Sequence, residues 1–190
     1  MKRRGIRWLL RFAVLIAVLV AVYSVFVARS QPAPAHPFFE LASADAGDGP
    51  LVIAHQGGNL IRPDNTMLAF ENAVELGVDV LEMDVHTTQD GVIVVIHDDT
   101  IDRTTDGSGR VQDLIFAELQ SYDAAYDWSP PAAPDTYPYR GQGVTVPALE
   151  DVLEAFPDMP MVIEIKQREP SMVVPVCDLL RQHDMQAKVL

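Results

Sequence analysis

The chain has 190 residues, of which 48% are hydrophobic, and its formal net charge at pH 7 is −13. This length suits one ordinary domain, the hydrophobic content excludes a wholly disordered chain, and the single cysteine excludes a disulfide framework and a multi-cysteine zinc module. Six of the 14 basic residues lie in residues 1–29, which contain no acid, so the remaining chain carries eight basic and 27 acidic residues and is expected to repel nucleic acid.

Residues 1–29 have the composition of a membrane anchor. Residues 12–28 are a run of 17 without a charge, which is the lower limit for a helix that spans a bilayer. The basic residues cluster before this run, so the positive-inside rule places the N-terminus in the cytoplasm and the rest of the chain outside it. A cleaved signal peptide, with Ala33-Pro34-Ala35 as a loose cleavage site, is the alternative. Residues 30–50, rich in Pro, Ala, Gly and Asp, are predicted to form a flexible tether.

Between residues 51 and 190, apolar strands alternate with helices, which predicts an α/β fold with a parallel sheet. The segment Pro63-Asp64-Asn65-Thr66 has the features of a helix N-cap, and Pro175 is expected to break or kink the last helix. The predicted strands are residues 51–54, 78–86, 92–97, 161–166 and the beginning of one at 187–190, and the predicted helices are residues 67–77, 147–155 and 170–182.

Two segments depart from this alternation. Only residues 87–91 join the second and third strands, which is too short for a helical crossover of a dozen residues or more. The connection is therefore either a hairpin or a crossover without a helix. Residues 104–143, with four prolines between Pro130 and Pro138, are predicted to be an insertion or a long loop.

Ionisable side chains share one face of two of the strands. Because strand side chains alternate between faces, Glu82, Asp84 and His86 lie together on the second strand, and Glu164 and Lys166 lie together on the fourth. Two buried carboxylates would repel each other, and a hard divalent cation such as Mg²⁺ or Ca²⁺ removes that cost because it binds oxygen ligands. We interpret His86 mainly as part of the pocket wall.

Two histidines, His55 and His97, lie at the downstream ends of apolar strands, where parallel α/β folds form their active sites. Such a pair can act as general acid and general base, and the neighbouring Asp98 can orient His97. A lone histidine at a strand end is more often structural. Here four strand ends present ionisable groups on one face, which favours a functional site.

Eight short motifs follow one another between His55 and Lys166, over about 110 residues. They are His55-Gln56-Gly57, Pro63-Asp64-Asn65-Thr66 leading into Ala69-Phe70, Leu81-Glu82-Met83-Asp84-Val85, Thr88-Gln89-Asp90-Gly91, Ile96-His97-Asp98, Arg103-Thr104-Thr105, Val146-Pro147-Ala148-Leu149-Glu150-Asp151-Val152-Leu153 and Ile163-Glu164-Ile165-Lys166. Any one alone is weak, but together and in this order they are specific. This stretch resembles the glycerophosphodiester phosphodiesterase family, within the phospholipase-C-like phosphodiesterase superfamily.

The resemblance implies a TIM-type (β/α)₈ barrel with a small insertion, in agreement with residues 104–143. It implies hydrolysis of a glycerophosphodiester to sn-glycerol 3-phosphate and an alcohol. It also implies three ligands of one divalent metal ion (Mg²⁺ or Ca²⁺), two acid–base histidines and a cation near the phosphate. In this chain the three metal ligands would be Glu82, Asp84 and Glu164, the two acid–base histidines would be His55 and His97, and the cation near the phosphate would be Lys166.

Two positions depart from the family pattern. The family usually has an arginine, expected to contact the phosphate, where this chain has Gln56. A glutamine at this phosphate-binding position can donate a hydrogen bond but carries no charge, and the loss could weaken substrate binding by roughly 1–3 kcal/mol. Asp64 replaces the usual glutamate, which is a milder change.

Two alternatives to this activity follow from the same residues. One is a related phosphodiesterase that acts on a different substrate, namely a phosphoinositide, a lysophospholipid or a sphingolipid head group. The other is a catalytically silent, membrane-tethered binding module, which Gln56 favours. The presence of all three carboxylates and both histidines opposes the silent module, since mere binding does not require the full set.

The length of the domain bears on its completeness. Residues 51–190 number 140, against about 250 for a typical (β/α)₈ barrel. The sequence therefore predicts an anchor, a tether and the first half of a barrel. Such a fragment would expose unpaired strand edges, and we expect it to be neither stable nor active by itself.

Overall fold

A computed structural model of the chain describes residues 2–31, 34–43 and 49–190. The chain divides into two compact units, Met1–Ala35 and His36–Leu190. The first unit contains one long helix, α1 (Lys2–Arg29). Its segment Arg7–Arg29 has 23 residues and a mean hydropathy of 2.5, so its length and composition suit either a membrane span or a signal sequence.

The predicted tether is only partly irregular. A short helix, α2 (Pro37–Ala42), forms inside it, which corrects the prediction that residues 30–50 lack regular structure. Residues 32–33 and 44–48, including part of the predicted cleavage site, lie outside the described residues.

Helix α2 belongs to the folded unit because it packs against the sheet. The Nδ1 atom of His36 accepts a hydrogen bond of 3.2 Å from the backbone N–H of Phe38 and caps the helix. Phe38 and Ala42, four residues apart and therefore on one helix face, form a buried cluster with Val80. The folded domain thus begins before residue 51.

One central strand organises the sheet. The strands are β1 (Ile53–Ala54), β2 (Val80–Thr87), β3 (Ile93–Val95) and β4 (Met161–Ile165). This central strand, β2, pairs in parallel with β1 at its beginning and with β4 along most of its length, and it pairs antiparallel with β3 at its end. The connection between β2 and β3 is therefore a hairpin, which decides between the two predicted possibilities. Val189 forms a parallel bridge to Met161, within the segment predicted as a strand at 187–190.

Three of the helices that follow lie near their predicted positions, whereas a fourth, short one lies inside the segment predicted as an insertion or a long loop. The hydroxyl of Thr66 caps the first of them by accepting from the N–H of Ala69, as expected. Pro175 does not break the last helix, because it is the third helical residue and the N–H groups of the first turn have no intrahelical partner. The helices are α3 (Met67–Glu75), α4 (Phe116–Leu119), α5 (Leu149–Ala155) and α6 (Val173–Gln182), with 3₁₀ turns at His55–Gly57 and Val111–Asp113.

The two faces of β2 have opposite character. Leu81, Met83 and Val85 are fully buried in the main core, where residues of α3, α5 and α6 pack on them. Glu82 and Asp84 alternate with these residues and therefore point to the other face. The sheet thus separates a hydrophobic layer from a polar one.

The predicted insertion has a small core of its own. Ile101, Val111 and Leu119 are buried together with Ile96 and Val146, and the segment contains α4 and a 3₁₀ turn. It is therefore a packed subdomain on the side of β3. Taken together, the described elements form a mixed α/β fold whose sheet is mainly parallel.

The packing of α2 yields a testable prediction. Phe38 is 2% exposed, whereas its neighbour Phe39 is 54% exposed. Phe38→Ala is expected to lower the free energy of unfolding by about 3 kcal/mol because it removes a buried ring. Phe39→Ala, the matched control, should change it by less than about 0.5 kcal/mol. Urea unfolding of the complete protein, followed by circular dichroism, measures both changes, and equal effects would contradict the docking of α2.

Candidate active site

Three carboxylates converge on the polar face of the sheet. Glu82 and Asp84 come from β2, and Glu164 comes from β4, where it stands opposite Asp84 in the parallel register. One oxygen from each of the three lies within 4.8 Å of the others. The structure therefore brings together the three residues that the sequence singled out as a set of metal ligands.

Asp84 is the most deeply buried of the three, at 1% exposure. Its Oδ2 accepts hydrogen bonds from Gln56 Nε2 at 2.8 Å and from Asn65 Nδ2 at 3.0 Å. Its Oδ1 has no hydrogen-bond partner, although Lys166 Nζ lies 3.1 Å away. Three carboxylates this close together repel one another, and a divalent cation that binds their oxygens would offset this repulsion more fully than the single charge of Lys166. The donor set therefore fits a divalent metal ion.

The surroundings of Glu82 and Asp84 shift the pKa values of these two carboxyl groups in opposite directions. Burial raises the pKa of Glu82, and the nearby carboxylates of Asp84 and Glu164 raise it further, against a 2.7 Å hydrogen bond from the N–H of Gln56. Burial alone would also raise the pKa of Asp84, but the donors on Asn65, Lys166 and Gln56 outweigh it and lower that pKa. Asp84 is thus held ionised, whereas Glu82 is the carboxyl group of the two that is more easily protonated.

Lys166 is the cation of this cluster. Its Nζ bridges Glu164 at 2.9 Å and Asp84 at 3.1 Å. Burial alone would lower the pKa of Lys166, but its contacts with Glu164 and Asp84 raise it, so the ammonium stays charged. A polar cavity of 210 Å³ lies beside it, and His86, Arg110 and Arg168 contribute to its lining.

His97 is braced by a line of charged groups. Its Nδ1 lies 2.6 Å from Oδ1 of Asp98, and Oδ2 of Asp98 accepts from Arg103 Nε at 2.6 Å. Arg103 continues the line through Nη2 to Asp64 at 3.1 Å. The Nδ1 atom of His97 is therefore occupied by Asp98, which fixes the orientation of the ring. The sequence indicated Asp98 as the orienting group, but not Arg103 and Asp64.

The loop after β1 carries His55 and Gln56. His55 is exposed, and it lies close enough to Glu82 for a positive charge on its ring to lower the pKa of that carboxyl group. Gln56 and Gly57 both have positive φ, at 53° and 76°. A Cβ on Gly57 would lie 2.7 Å from the Cβ of Ala69, so only glycine lets the loop approach α3 this closely. That approach places the N–H of Gln56 on Glu82.

Gln56 is engaged by protein groups on both sides of its amide. Besides donating to Asp84, it accepts a hydrogen bond of 3.1 Å at Oε1 from Asn59 Nδ2. Its expected contact with a phosphate stays a prediction. Asn65 was interpreted from sequence only as part of a helix cap, although it supports Asp84. The signal for that role was its place in a motif shared with the resembled family.

His86 has a structural contact. Its Nε2 lies 3.1 Å from the backbone oxygen of His97, and burial lowers its pKa. The neutral ring therefore joins the end of β2 to His97, which lies shortly after the end of β3. This agrees with its interpretation as a residue of the pocket wall.

Comparisons with known proteins agree with this arrangement. The family model described as the glycerophosphoryl diester phosphodiesterase family matches residues 55–189. A glycerophosphodiester phosphodiesterase of Caldanaerobacter subterraneus is 38% identical over 125 residues, which cover 66% of this chain and 48% of that protein. The chain spans about half the length of the curated relatives it matches.

Solved structures show the same likeness. The crystal structure of the glycerophosphoryl diester phosphodiesterase domain of a Mycobacterium tuberculosis protein has a TM-score of 0.69 at 31% identity, covering 75% of this chain and 52% of that one. The structure of an Oleispira antarctica phosphodiesterase in complex with the product sn-glycerol-3-phosphate has a TM-score of 0.59 at 31% identity, covering 70% and 53% of the two chains.

The bracing of His97 predicts a pH-dependent stability. Burial alone would raise the pKa of Asp98, but hydrogen bonds from Arg103 and His97 outweigh it and lower that pKa. A lowered folded-state pKa means that the carboxylate stabilises the fold above the unfolded-state pKa of about 4, and that this stabilisation is lost as the pH falls through the folded-state value. Asp98→Asn should therefore be less stable than the wild type at pH 7, and the difference should vanish toward pH 2.

The measurement is urea unfolding of the complete protein, as wild type and as Asp98→Asn, across this pH range. Asp99→Asn is the matched control, since this neighbouring side chain is 67% exposed, and its stability difference should stay small throughout. A difference for Asp98→Asn that persists unchanged into acid would contradict the ionised bridge.

Proposed function

The chain belongs to the glycerophosphoryl diester phosphodiesterase family, and from this premise we propose that it carries the catalytic groups for hydrolysis of a glycerophosphodiester. The products would be sn-glycerol 3-phosphate and an alcohol. The observation that carries the proposal is the convergence of three carboxylates, including the buried Asp84, on one face of the sheet beside Lys166.

Glu82, Asp84 and Glu164 would hold one divalent cation, either Mg²⁺ or Ca²⁺, because both prefer oxygen ligands. When bound, such an ion polarises a non-bridging phosphate oxygen and offsets negative charge. Lys166 would add a second positive charge beside the phosphate. The strongly acidic body of the chain makes these charges necessary for binding an anionic substrate.

His55 and His97 would share the proton transfers. One takes the proton of the attacking oxygen, and the other gives a proton to the leaving alcohol. The contact of His97 Nδ1 with Asp98 supports a role in which Nε2 faces the substrate. Asp98 would then stabilise the protonated ring and fix its orientation. Gln56 would lie next to the phosphate, as the resemblance expects for this position.

We propose a TIM-type barrel as the complete fold, with these residues forming its first half. An apolar groove of 420 Å³ along β1, lined by Val52, Ile53 and Leu76 among others, supports this. Val52 and Ile53 are 55% and 48% exposed, as expected for a strand edge that a further strand covers.

For α1 we propose an uncleaved, single-pass anchor that leaves the catalytic domain outside the cytoplasm. Its apolar segment of 23 residues exceeds the 7–15 residues usual for the core of a signal peptide. The basic residues before this segment support the orientation.

The proposed reaction predicts a metal requirement. The complete protein should release glycerol 3-phosphate from glycerophosphocholine, EDTA should abolish the release, and Mg²⁺ or Ca²⁺ should restore it.

The proposed acid–base role of His97 makes a second prediction. His97→Ala should lower kcat by about 100-fold or more with unchanged circular dichroism. His183→Ala, whose ring pairs with Glu150 on the surface of the helices, is the matched control and should retain activity.

Three outcomes would count against this assignment. Release that continues in EDTA would exclude the metal role, and near-normal turnover of His97→Ala would exclude its acid–base role. Binding of glycerophosphodiesters without any turnover would instead support the silent binding module.

The anchor predicts membrane retention. The complete protein should sediment with membranes and resist extraction with alkaline carbonate, whereas a variant without residues 2–29 should stay in the supernatant. N-terminal sequencing distinguishes the alternative, because a mature protein that begins near residue 36 would show that α1 is a cleaved signal.

A further inference from the structure

Three hydrogen bonds in series connect the insertion to the carboxylate cluster. The indole N–H of Trp128 donates to the backbone oxygen of Asn59 at 2.9 Å. The side-chain amide of Asn59 donates to Gln56 Oε1 at 3.1 Å, and Gln56 Nε2 donates to Asp84 at 2.8 Å. We refer to these four residues as the relay.

The direction of every bond in the relay is fixed by chemistry. The carboxylate of Asp84 only accepts, so the amide nitrogen of Gln56 must face it. The amide oxygen of Gln56 then faces Asn59, which must present its nitrogen. The indole N–H of Trp128 is a donor only, and it meets a carbonyl. No alternative orientation of the amides satisfies all the contacts.

The Trp128 end of the relay is held in place by the insertion. The Trp128 ring packs against Tyr139 with ring centroids 5.4 Å apart, and the guanidinium of Arg62 lies 5.7 Å from the centre of the Tyr139 ring. Gln56, which contacts Asp84 at the other end, is 5% exposed, and its backbone N–H donates to Glu82 at 2.7 Å. Trp128 and Gln56 are therefore each held by neighbouring groups in addition to the bonds of the relay.

The identity of residue 56 decides which groups donate and accept in the relay. A glutamine amide both donates and accepts, so it can join a carboxylate to the amide of Asn59. An arginine has donors only, so Asn59 would have to turn its amide and present Oδ1, and the guanidinium would bring a positive charge next to Asp84. The departure from the family pattern at Gln56 therefore makes this connection a neutral one, in which Gln56 accepts from Asn59 and donates to Asp84.

We propose that Gln56 is a positioning residue for Asp84, and that the relay couples the insertion around Trp128 to the cation site. This rests on the proposed function only in assuming a cation at the three carboxylates. Groups that hydrogen-bond a metal ligand orient it and commonly change metal affinity by 10–100-fold. Coupling between two sites is reciprocal: if the ordered state of the insertion strengthens cation binding, then a bound cation stabilises that ordered state by the same factor.

The two tryptophans of the chain, Trp8 and Trp128, allow a matched test. Trp8→Phe serves as the parent, because it leaves Trp128 as the sole tryptophan of residues 1–190 and changes nothing in the relay; any tryptophan of the complete protein outside these residues is likewise replaced by phenylalanine. Mg²⁺ and Ca²⁺ are titrated into the complete parent protein while calorimetry measures cation Kd and fluorescence measures Trp128 emission. Cation binding should change the emission, with the same Kd by both methods.

Three variants made in this parent break the relay at different points. Gln56→Met keeps the side-chain length and removes both hydrogen bonds, and it should raise cation Kd by about 10-fold or more. Asn59→Ala leaves the bond from Gln56 to Asp84 intact, so it should raise cation Kd by only about 3-fold, less than the loss of a direct partner of the ligand. It should also abolish the change in Trp128 emission. Trp128→Phe keeps the ring and loses the N–H, and its Kd should match that of Asn59→Ala.

The outcomes separate the two proposals. A parent that binds no cation would overturn the metal site itself, and the relay's role with it. A parent that binds cation, with Kd values of Asn59→Ala and Trp128→Phe equal to that of the parent and an emission change that survives Asn59→Ala, would overturn the coupling alone. Thermal melting without cation checks folding, and if Gln56→Met does not fold, the two remote variants still decide the question.

Discussion

The burial of one carboxylate governs the architecture around the site. Asp84 lies on a central strand with only 1% exposure, beside two further acids. Ionised groups are tolerated in such a place only when other groups compensate them. Here the compensation comes from Asn65, Gln56 and Lys166, which belong to three different segments of the chain. The positions of the two loops that supply the amides follow from this requirement.

The segment before α3 serves both halves of the site. Asn65, at a φ of 55°, exchanges two hydrogen bonds with Asp84, while the preceding Asp64 binds the arginine that supports Asp98 and His97. The backbone N–H of Asn65 also donates to the oxygen of Gln56 at 3.0 Å. A single turn thus fixes the carboxylate cluster, the loop after β1 and the bracing of His97 relative to one another. This explains why a conservative change at Asp64 leaves the network intact, since the shorter acid still reaches Arg103.

Local patterns of the sequence predicted the parts of the fold that depend on local rules. Alternation along β2 and β4 placed Glu82, Asp84 and Glu164 on one face, and the cap at Thr66 marked the beginning of α3. The parts that were missed depend on contacts between distant residues. Phe38 packs on a strand more than 40 positions away, in a segment whose prolines and small residues suggested a tether. Asn59 and Trp128 meet across 69 positions, and no local pattern indicates that contact.

The exchange of arginine for glutamine at position 56 can be weighed in the same physical terms. An arginine would bring a charge to the phosphate, which an acidic protein needs, but it would also stand beside a metal ion and compete with it for Asp84. Gln56 gives up that charge and leaves Lys166 as the cation that contacts the cluster among the described residues. In return, its neutral amide supports Asp84 without repelling a divalent ion, and its oxygen extends the support to the insertion. On the proposed function, this chain therefore relies more on the metal ion and on an ordered insertion, and less on a fixed side-chain charge, to bind its phosphodiester.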